Sequence, residues 1–242
     1  FSTSHNPMIS GNKSIDSDFY DNSCYHEINA SHLRDFKSRF QKYRVEKIRD
    51  IYDPQSTDVV VDLGCGWGTF CWAFTRRVKS VVGVDFSEKS ILLCNEQLNK
   101  WQYDNVTFLH GDARRTNLPS EMCDLIIAAD LFEHLYPEDS RQVIGEAFRL
   151  LKKQGHFSIW TPHRGHIIEI LKNRNILFKK DETHVDYKSM QVLIEMLERA
   201  GFRVKKHYYA ESHIPGFNTI EGIFSKLVPC LRRRIAILAY KP

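Results

Sequence analysis

The first stretch able to do chemistry follows the apolar run Val59-Val60-Val61. It reads Asp62-Leu63-Gly64-Cys65-Gly66-Trp67-Gly68-Thr69. Glycines at alternate positions let a chain turn sharply and approach a ligand closely, and the helix expected next presents its N-terminus to that ligand. Asp85 ends the next apolar run, 21 residues after Gly64, where an acid can accept hydrogen bonds from both hydroxyls of a ribose. Phe86 beside it offers a ring for stacking on adenine. A dinucleotide site takes glycine at the first, third and sixth positions of such a turn. Here the sixth is Thr69 and the glycines fall at first, third and fifth. Asp62, just before the turn, would repel phosphate but suits an ammonium group.

Further acids and histidines close later apolar runs. His110-Gly111-Asp112-Ala113 follows the third. Asp130 ends the fourth and is followed by Glu133 and His134, and His163 follows the fifth within Trp160-Thr161-Pro162-His163. In an open α/β sheet the strand ends border the ligand crevice. Histidine, with an unperturbed pKa of ~6.5, suits removal of a proton from an acceptor. His163 and His134 are therefore the candidate bases, with His163 favoured because the adjoining connection would lie over an acceptor. His166 and His184, within that connection, are candidate substrate contacts. Tyr25, and Tyr20 near it, would offer an aromatic face to a cation.

The elements that must hold these residues alternate. Apolar spacing predicts a helix over 31–52, ended by Pro54. Strands are expected over 58–63, 80–85, 106–110, 123–129, 156–161, 202–210 and 234–240. Helices are expected over 68–78, 87–98, 137–153 and 188–200, with Gly155 stopping the third of these. Buried strands alternating with helices imply a mostly parallel sheet covered on both faces, its last strand antiparallel. Residues 1–54 are expected as an N-terminal segment and helical cap, and 55–242 as the main domain. Inserts at 162–186 and 212–233 would act as lids. In the second, Phe217, Ile220, Phe224, Leu227 and Leu231 follow helical spacing and are expected to pack on the domain as a cavity wall, ahead of a membrane-surface role.

Composition narrows the class. The chain has 242 residues, 42% hydrophobic and 26% charged, and a net charge of +4, which fits one α/β domain with additions. That charge is mild for a nucleic-acid binder. No leader or membrane span is expected, and the six cysteines show no CxxC spacing, so a reducing cytoplasmic setting is the simplest reading.

Taken together, the ordered stretches resemble the class I S-adenosylmethionine-dependent methyltransferases. Val59 to Gly68 is similar to the first motif of that family, Val82 to Ser87 to the ribose-binding second and His110 to Ala113 to the third. Cys123 to Leu135 is similar to the fourth, and Leu150 to Phe157 to the fifth. The resemblance covers about residues 55–205. It implies a Rossmann-like seven-stranded sheet, S-adenosyl-L-methionine as cofactor and S-adenosyl-L-homocysteine as product. It further implies cofactor contacts from Asp62, Gly64, Cys65, Gly66, Gly68, Asp85, Phe86, Asp112, Ala113 and Asp130. Asp112 would meet the adenine amino group and Asp130 the methionine part. The Glu133-His134 pair is similar to that of small-molecule enzymes such as the ubiquinone-biosynthesis O-methyltransferases. The implied activity is methyl transfer to a small molecule at a hydroxyl, with lipid-like or glycan-linked acceptors in view. A nitrogen acceptor, an RNA substrate and a catalytically silent partner protein stay open. No metal is expected, because Asp130 has no convincing companion in sequence.

Overall fold

A computed structural model describes residues 21, 35–36, 38–174, 183–213, 216–225 and 227–242. Its elements, in chain order, are α1 (Arg39–Ile51), β1 (Val59–Leu63), α2 (Thr69–Phe74), β2 (Ser80–Asp85), α3 (Glu88–Trp101), β3 (Val106–His110), β4 (Cys123–Ala129), α4 (Pro137–Leu150), β5 (Leu151–Pro162), α5 (Ile167–Asn173), α6 (Met190–Arg199), β6 (Arg203–Ala210), α7 (Phe217–Phe224) and β7 (Arg234–Tyr240). Single 3-10 turns lie at Phe132–His134 and Pro229–Leu231.

The seven strands form one sheet in the order β3-β2-β1-β4-β5-β7-β6. β7 runs antiparallel to both its neighbours, and the other pairings are parallel. The chain steps outward from β1 through β2 to β3, then crosses back to β4. The switch point therefore lies between β1 and β4, and a ligand crevice opens outside their carboxyl ends. Gly64 and Asp130 stand at those two ends.

Both sheet faces carry a packed layer. On one, Val143, Ile144, Ala147 and Leu150 of α4 join Leu193 and Leu197 of α6 against the strands. On the other, Ile48 and Ile51 of α1, Phe70 and Phe74 of α2 and Ile91 and Cys94 of α3 do so. The helices start where the chain supplies acceptors for their exposed N–H groups. Ser38 accepts from Gln41 N, Ser87 from Ser90 N and Ser189 from Val192 N, while Pro137 opens α4 at a position that needs no N–H donor.

Several boundaries differ from the sequence reading: α2 ends at Phe74 rather than 78, and α3 runs on to Trp101 rather than 98. α4 ends at Leu150, not Lys153, because Glu121 N and Met122 N donate to the Arg149 and Leu150 carbonyls and Leu151 already pairs with Cys123. The β4–β5 register then shifts between Cys123 and Leu125, and Gln154 takes a φ of 64°. Gly155 serves this irregularity inside β5 rather than stopping a helix: a Cβ there would lie 2.9 Å from the Lys152 carbonyl oxygen. α1 begins at Arg39 behind its Ser38 cap; part of the expected helix, 31–34 and 37, falls outside the described residues.

Candidate functional site

The glycine turn is built almost wholly from backbone. Gly64 N and Cys65 N both donate to the Val84 carbonyl, and Gly68 N donates to that of Cys65. Gly64, Gly66 and Gly68 all adopt positive φ, at 73°, 51° and 75°, which L side chains rarely take. Asp85 closes the turn from β2. Its Oδ2 accepts from Gly66 N at 2.8 Å and its Oδ1 from Ser87 N at 2.9 Å. Burial raises the Asp85 carboxyl above its ordinary range, against these two donors.

Asp62 lies beneath the turn at 1% exposure. Burial pushes its carboxyl up to about 7, and Arg44 lowers it only in part. Cys71 Sγ lies 3.6 Å from its Oδ2. A carboxylate so placed gains from any cation brought beside it. Among the described residues a Cβ built on Gly66 meets nothing within 4 Å, so none of them fills the space in front of the turn. These two observations fit a ligand that carries an ammonium group and approaches the backbone closely.

Cys65 is buried in the turn, and Phe86 follows Asp85. Asp112 differs from the expectation in detail, since its carboxylate is held by the Arg114 guanidinium at 2.8 Å and by Arg114 N at 2.8 Å. Ala113 follows it in that turn. Sequence reading missed Asp21, whose carboxylate accepts from Ser87 Oγ at 2.6 Å and Lys89 N at 3.2 Å. An acid before the first helix gave no signal of its own. Tyr25 lies outside the described residues.

Across the crevice, Asp130 has a φ of 55° and donates its N–H to Trp160 O at 2.8 Å. Its carboxylate sits between two arginines. Arg44 of α1 approaches Oδ2 at 2.8 Å and Arg234 of β7 bonds Oδ1. Burial alone would raise this carboxyl, but Arg234 and Arg44 outweigh it and hold the group well below the usual range. Neither arginine was legible as a partner, since they lie 86 residues before and 104 after Asp130 in the sequence. Glu133, 2% exposed, accepts from Thr161 Oγ1 at 2.9 Å. Its carboxyl is pushed above the usual range by burial first and Asp130 second.

The four histidines fall into different groups. His134 and His184 meet edge to face with ring centres 4.8 Å apart. His134 Nδ1 lies 3.0 Å from the Thr183 carbonyl. His163 is separate: its Nδ1 faces the Arg232 carbonyl at 3.1 Å, its ring packs on Tyr209, and burial lowers its pKa. His166 is fully buried between the inserts. Its Nε2 bonds Glu221 at 2.9 Å and its Nδ1 lies 3.1 Å from Arg233 Nη1. The structure thus places His166, just before α5, as a link to Glu221 of α7 and to Arg233 just before β7.

That link corrects the expected cavity wall. Glu221 is fully buried while Ile220, Ile223, Phe224 and Leu227 are exposed, Leu227 at 81%. The acid accepts from His166 and from Ser212 N, which fixes the rotation of α7 and turns its apolar stripe outward. Pro229 begins a 3-10 turn after α7 has ended at Phe224.

Known proteins resemble the chain in sequence and in fold. A family model for the methyltransferase domain matches residues 60–155. A "Probable S-adenosylmethionine-dependent methyltransferase" of Mycolicibacterium smegmatis is 28% identical over 146 residues, 60% of this chain and 52% of that protein. A ubiquinone biosynthesis O-methyltransferase of Nitrosomonas europaea is 29% identical over 125 residues, 50% of this chain and 51% of its own. The chain spans about half the length of the curated relatives it matches. A solved Pyrococcus horikoshii protein superposes with a TM-score of 0.69 at 19% identity, covering 91% of this chain and 99% of that one, which shows the fold. Among the described residues no helix is long and apolar enough to cross a membrane. With the strand order, the glycine turn closed by Asp85 and the matched residues 60–155 in agreement, the chain carries a methyltransferase domain and is similar to the class I S-adenosylmethionine-dependent methyltransferases.

Proposed function

We propose that this chain transfers a methyl group from S-adenosylmethionine to a hydroxyl of a small-molecule acceptor. The observation that carries the reading is the crevice itself. One side is a glycine turn over the buried Asp62 and the half-buried Asp85, and the other holds Glu133 and His134 after β4 and, apart from them, His163 after β5. The cofactor would supply a methyl carbon bonded to positive sulfur.

The residues of this chain bind, orient and shield. Asp85 would take the ribose hydroxyls, Gly64, Gly66 and Gly68 would let the backbone approach, and Asp62 would face the ammonium group. Asp112 and Ala113 border the adenine end with Phe86, and Asp130 the methionine end through its backbone. Holding nucleophile, methyl carbon and sulfur in line removes much of the entropic barrier. A hydroxyl must also lose its proton. At both His134 and His163 the ring Nδ1 faces a carbonyl oxygen, which can only accept. Each ring therefore carries its proton on Nδ1 and keeps a basic Nε2. Ubiquinone biosynthesis and malonyl-[acyl-carrier protein] O-methyltransferases are among the relatives, beside one phosphoethanolamine N-methyltransferase, and the greater number at oxygen supports that acceptor.

Calorimetric titration with S-adenosylmethionine tests the cofactor side. Asp85→Ala should weaken binding by ~1.5–3 kcal/mol, the worth of hydrogen bonds to an ionised acid; unchanged affinity would overturn the ribose assignment. Asp62 adds a pH signature. Its folded pKa of about 7 lies above the ordinary ~4. The stability it allows is complete below ~4 and falls as pH rises towards ~7. An ammonium beside it favours the ionised form, so binding at pH 6 should release a proton. Titrations in buffers of different ionisation heat would show this in wild type and not in Asp62→Asn. A screen of labelled methyl transfer to hydroxyl and amine acceptors then decides the class.

A further inference from the structure

Glu133, His134 and His184 each offer one ligand atom, and these atoms lie within 4.8 Å of one another. We propose that they bind a divalent first-row transition-metal ion at the acceptor end of the crevice. This deepens the methyl-transfer reading and rests on it for the cation's role, though not for its binding.

The three residues come together through backbone that is itself tied. The 3-10 turn after β4 presents Glu133 and His134 in succession. His184 arrives from the segment before α6, 50 residues later. Asp186 N donates to the Glu133 carbonyl at 3.2 Å. Lys188 Nζ, nearly buried, donates to the Phe132 and Leu135 carbonyls at 2.8 and 2.6 Å. The two segments are therefore clamped on either side of the cluster. Metal bonds of ~2.0–2.2 Å place neighbouring ligand atoms ~3–4 Å apart, so closure needs only a small inward movement.

The hydrogen bonds around the cluster fix each donor atom. Thr183 O can only accept, so His134 is protonated at Nδ1 and its Nε2 holds the lone pair. Tyr187 Oη donates to Glu169 Oε2 at 3.0 Å and so accepts from His184 Nδ1. His184 thereby has the same tautomer. Glu169 is in turn paired with Arg233 at 3.3 Å. Thr161 Oγ1 orients Glu133 through its Oε2. Two imidazoles whose Nδ1–H groups are tied to oxygen acceptors, beside an oriented carboxylate, form the surroundings that metal-binding histidines require. A mixed nitrogen and oxygen set suits Zn²⁺, Mn²⁺ or Co²⁺ over Mg²⁺ or Ca²⁺.

Among the described residues three ligands hold the ion and leave a position open. An acceptor hydroxyl entering it has its pKa lowered by the cation and gives its proton to solvent. The oxygen lone pair forms the new bond to the methyl carbon. The carbon–sulfur bond breaks with its electron pair passing to sulfur, which becomes a neutral thioether. His134 is then a ligand rather than a base. The metal-free expectation rested on the sequence neighbours of Asp130, and His184 lies 54 residues beyond it.

The test uses the full chain stripped by a chelator and titrated with Co²⁺ and with Zn²⁺. One equivalent should bind, with a visible Co²⁺ absorption band and a Zn²⁺-dependent rise in Tm. His184→Ala should lose the band and the rise while keeping the metal-free Tm. Tyr187→Phe, which removes only the oxygen behind His184, should bind ~10- to 100-fold more weakly. The proposal is overturned if wild type binds neither ion stoichiometrically, if only Mg²⁺ binds, or if Glu133→Gln and His184→Ala bind as well as wild type. Parallel titration with S-adenosylmethionine separates the two readings. Cofactor binding without metal binding overturns this inference alone, and the reverse overturns the methyl-transfer reading and leaves the metal site standing.

Discussion

The two walls of the crevice are built by different means. Between Val59 and Asp85 the shape comes from backbone, as the Gly64 and Cys65 N–H groups share the Val84 carbonyl and Gly66 N–H meets Asp85. Beyond Ala129 it comes from side chains far apart in sequence. Asp130 draws in Arg44 and Arg234, Glu133 draws in Thr161, and Glu221 draws in His166. The first wall depends on conformations that few residues adopt. The second depends on charges that have few partners, so its weak points are single ionised groups.

The largest effect should come from breaking the central charge of the second wall. Asp130→Ala leaves Arg44 and Arg234, at 8% and 16% side-chain exposure, beside each other without their acid. Removing one partner of a buried ion pair costs ~3–5 kcal/mol. Urea unfolding should show a lower midpoint at an unchanged slope. A loss under ~1 kcal/mol would mean that the arginines find other acceptors, and the proposed contrast between the walls would fail.

The first wall should break at a glycine, and unevenly along the turn. In Gly68→Ala the new Cβ would lie 2.8 Å from Trp72 Nε1 and 2.9 Å from Phe108 Cε1, at a φ of 75°. Strain of this kind costs ~1–3 kcal/mol before the clash is counted. Gly66→Ala has the positive φ but no such neighbour among the described residues, so ~1–2 kcal/mol is expected. That methyl instead enters the open space in front of the turn and should weaken S-adenosylmethionine binding more than it lowers stability. Equal losses of stability for the two variants would contradict the geometry.

The same contrast explains what could be read from sequence. β2, β3, β4 and β7 occupy the expected spans, because a buried strand is a continuous apolar run whose ends are marked locally. The turn at Gly64, Gly66 and Gly68 and the acid Asp85 that closes it were legible for the same reason: the turn is marked within one strand–turn–helix unit and the acid at the end of the next strand. Arg44, Arg234 and Asp21 were not, because a charge carries no mark of which distant acid or N–H it will meet. The Leu151 boundary was missed because Lys152 and Lys153 read as helix formers, whereas Lys152 pairs with Asp124 of β4 at 2.9 Å. Tertiary pairing there overrides local propensity.

A smaller effect is expected at the link between the inserts. Glu221→Gln keeps an acceptor for the His166 Nε2–H but removes the charge that strengthens that bond and the one from Ser212 N. Charge-assisted bonds exceed neutral ones by ~1 kcal/mol, which for a chain of this size lowers Tm by ~2–4 °C. A thermal scan checks this, and an unchanged Tm would show that α7 is seated by something other than its acid.

The smallest effect separates the spacing of α7 from its observed rotation. By spacing alone, Phe217, Ile220, Phe224 and Leu227 should be buried, and polar replacement of such a residue would forfeit ~1.5–3 kcal/mol. In the structure Ile223 is 62% and Leu227 81% exposed, while Glu221, between Ile220 and Ile223, is sealed. Ile223→Ser and Leu227→Ser should therefore each change stability by no more than ~0.5 kcal/mol, as exposed positions do. Ile235→Ser on β7, at 0% exposure, provides the contrast and should cost several times more. Urea unfolding of the three variants decides the matter. If Leu227→Ser falls with Ile235→Ser, the stripe packs inward and Glu221 does not set the helix. If it stays with wild type, one buried acid has overruled the apolar pattern of its own helix.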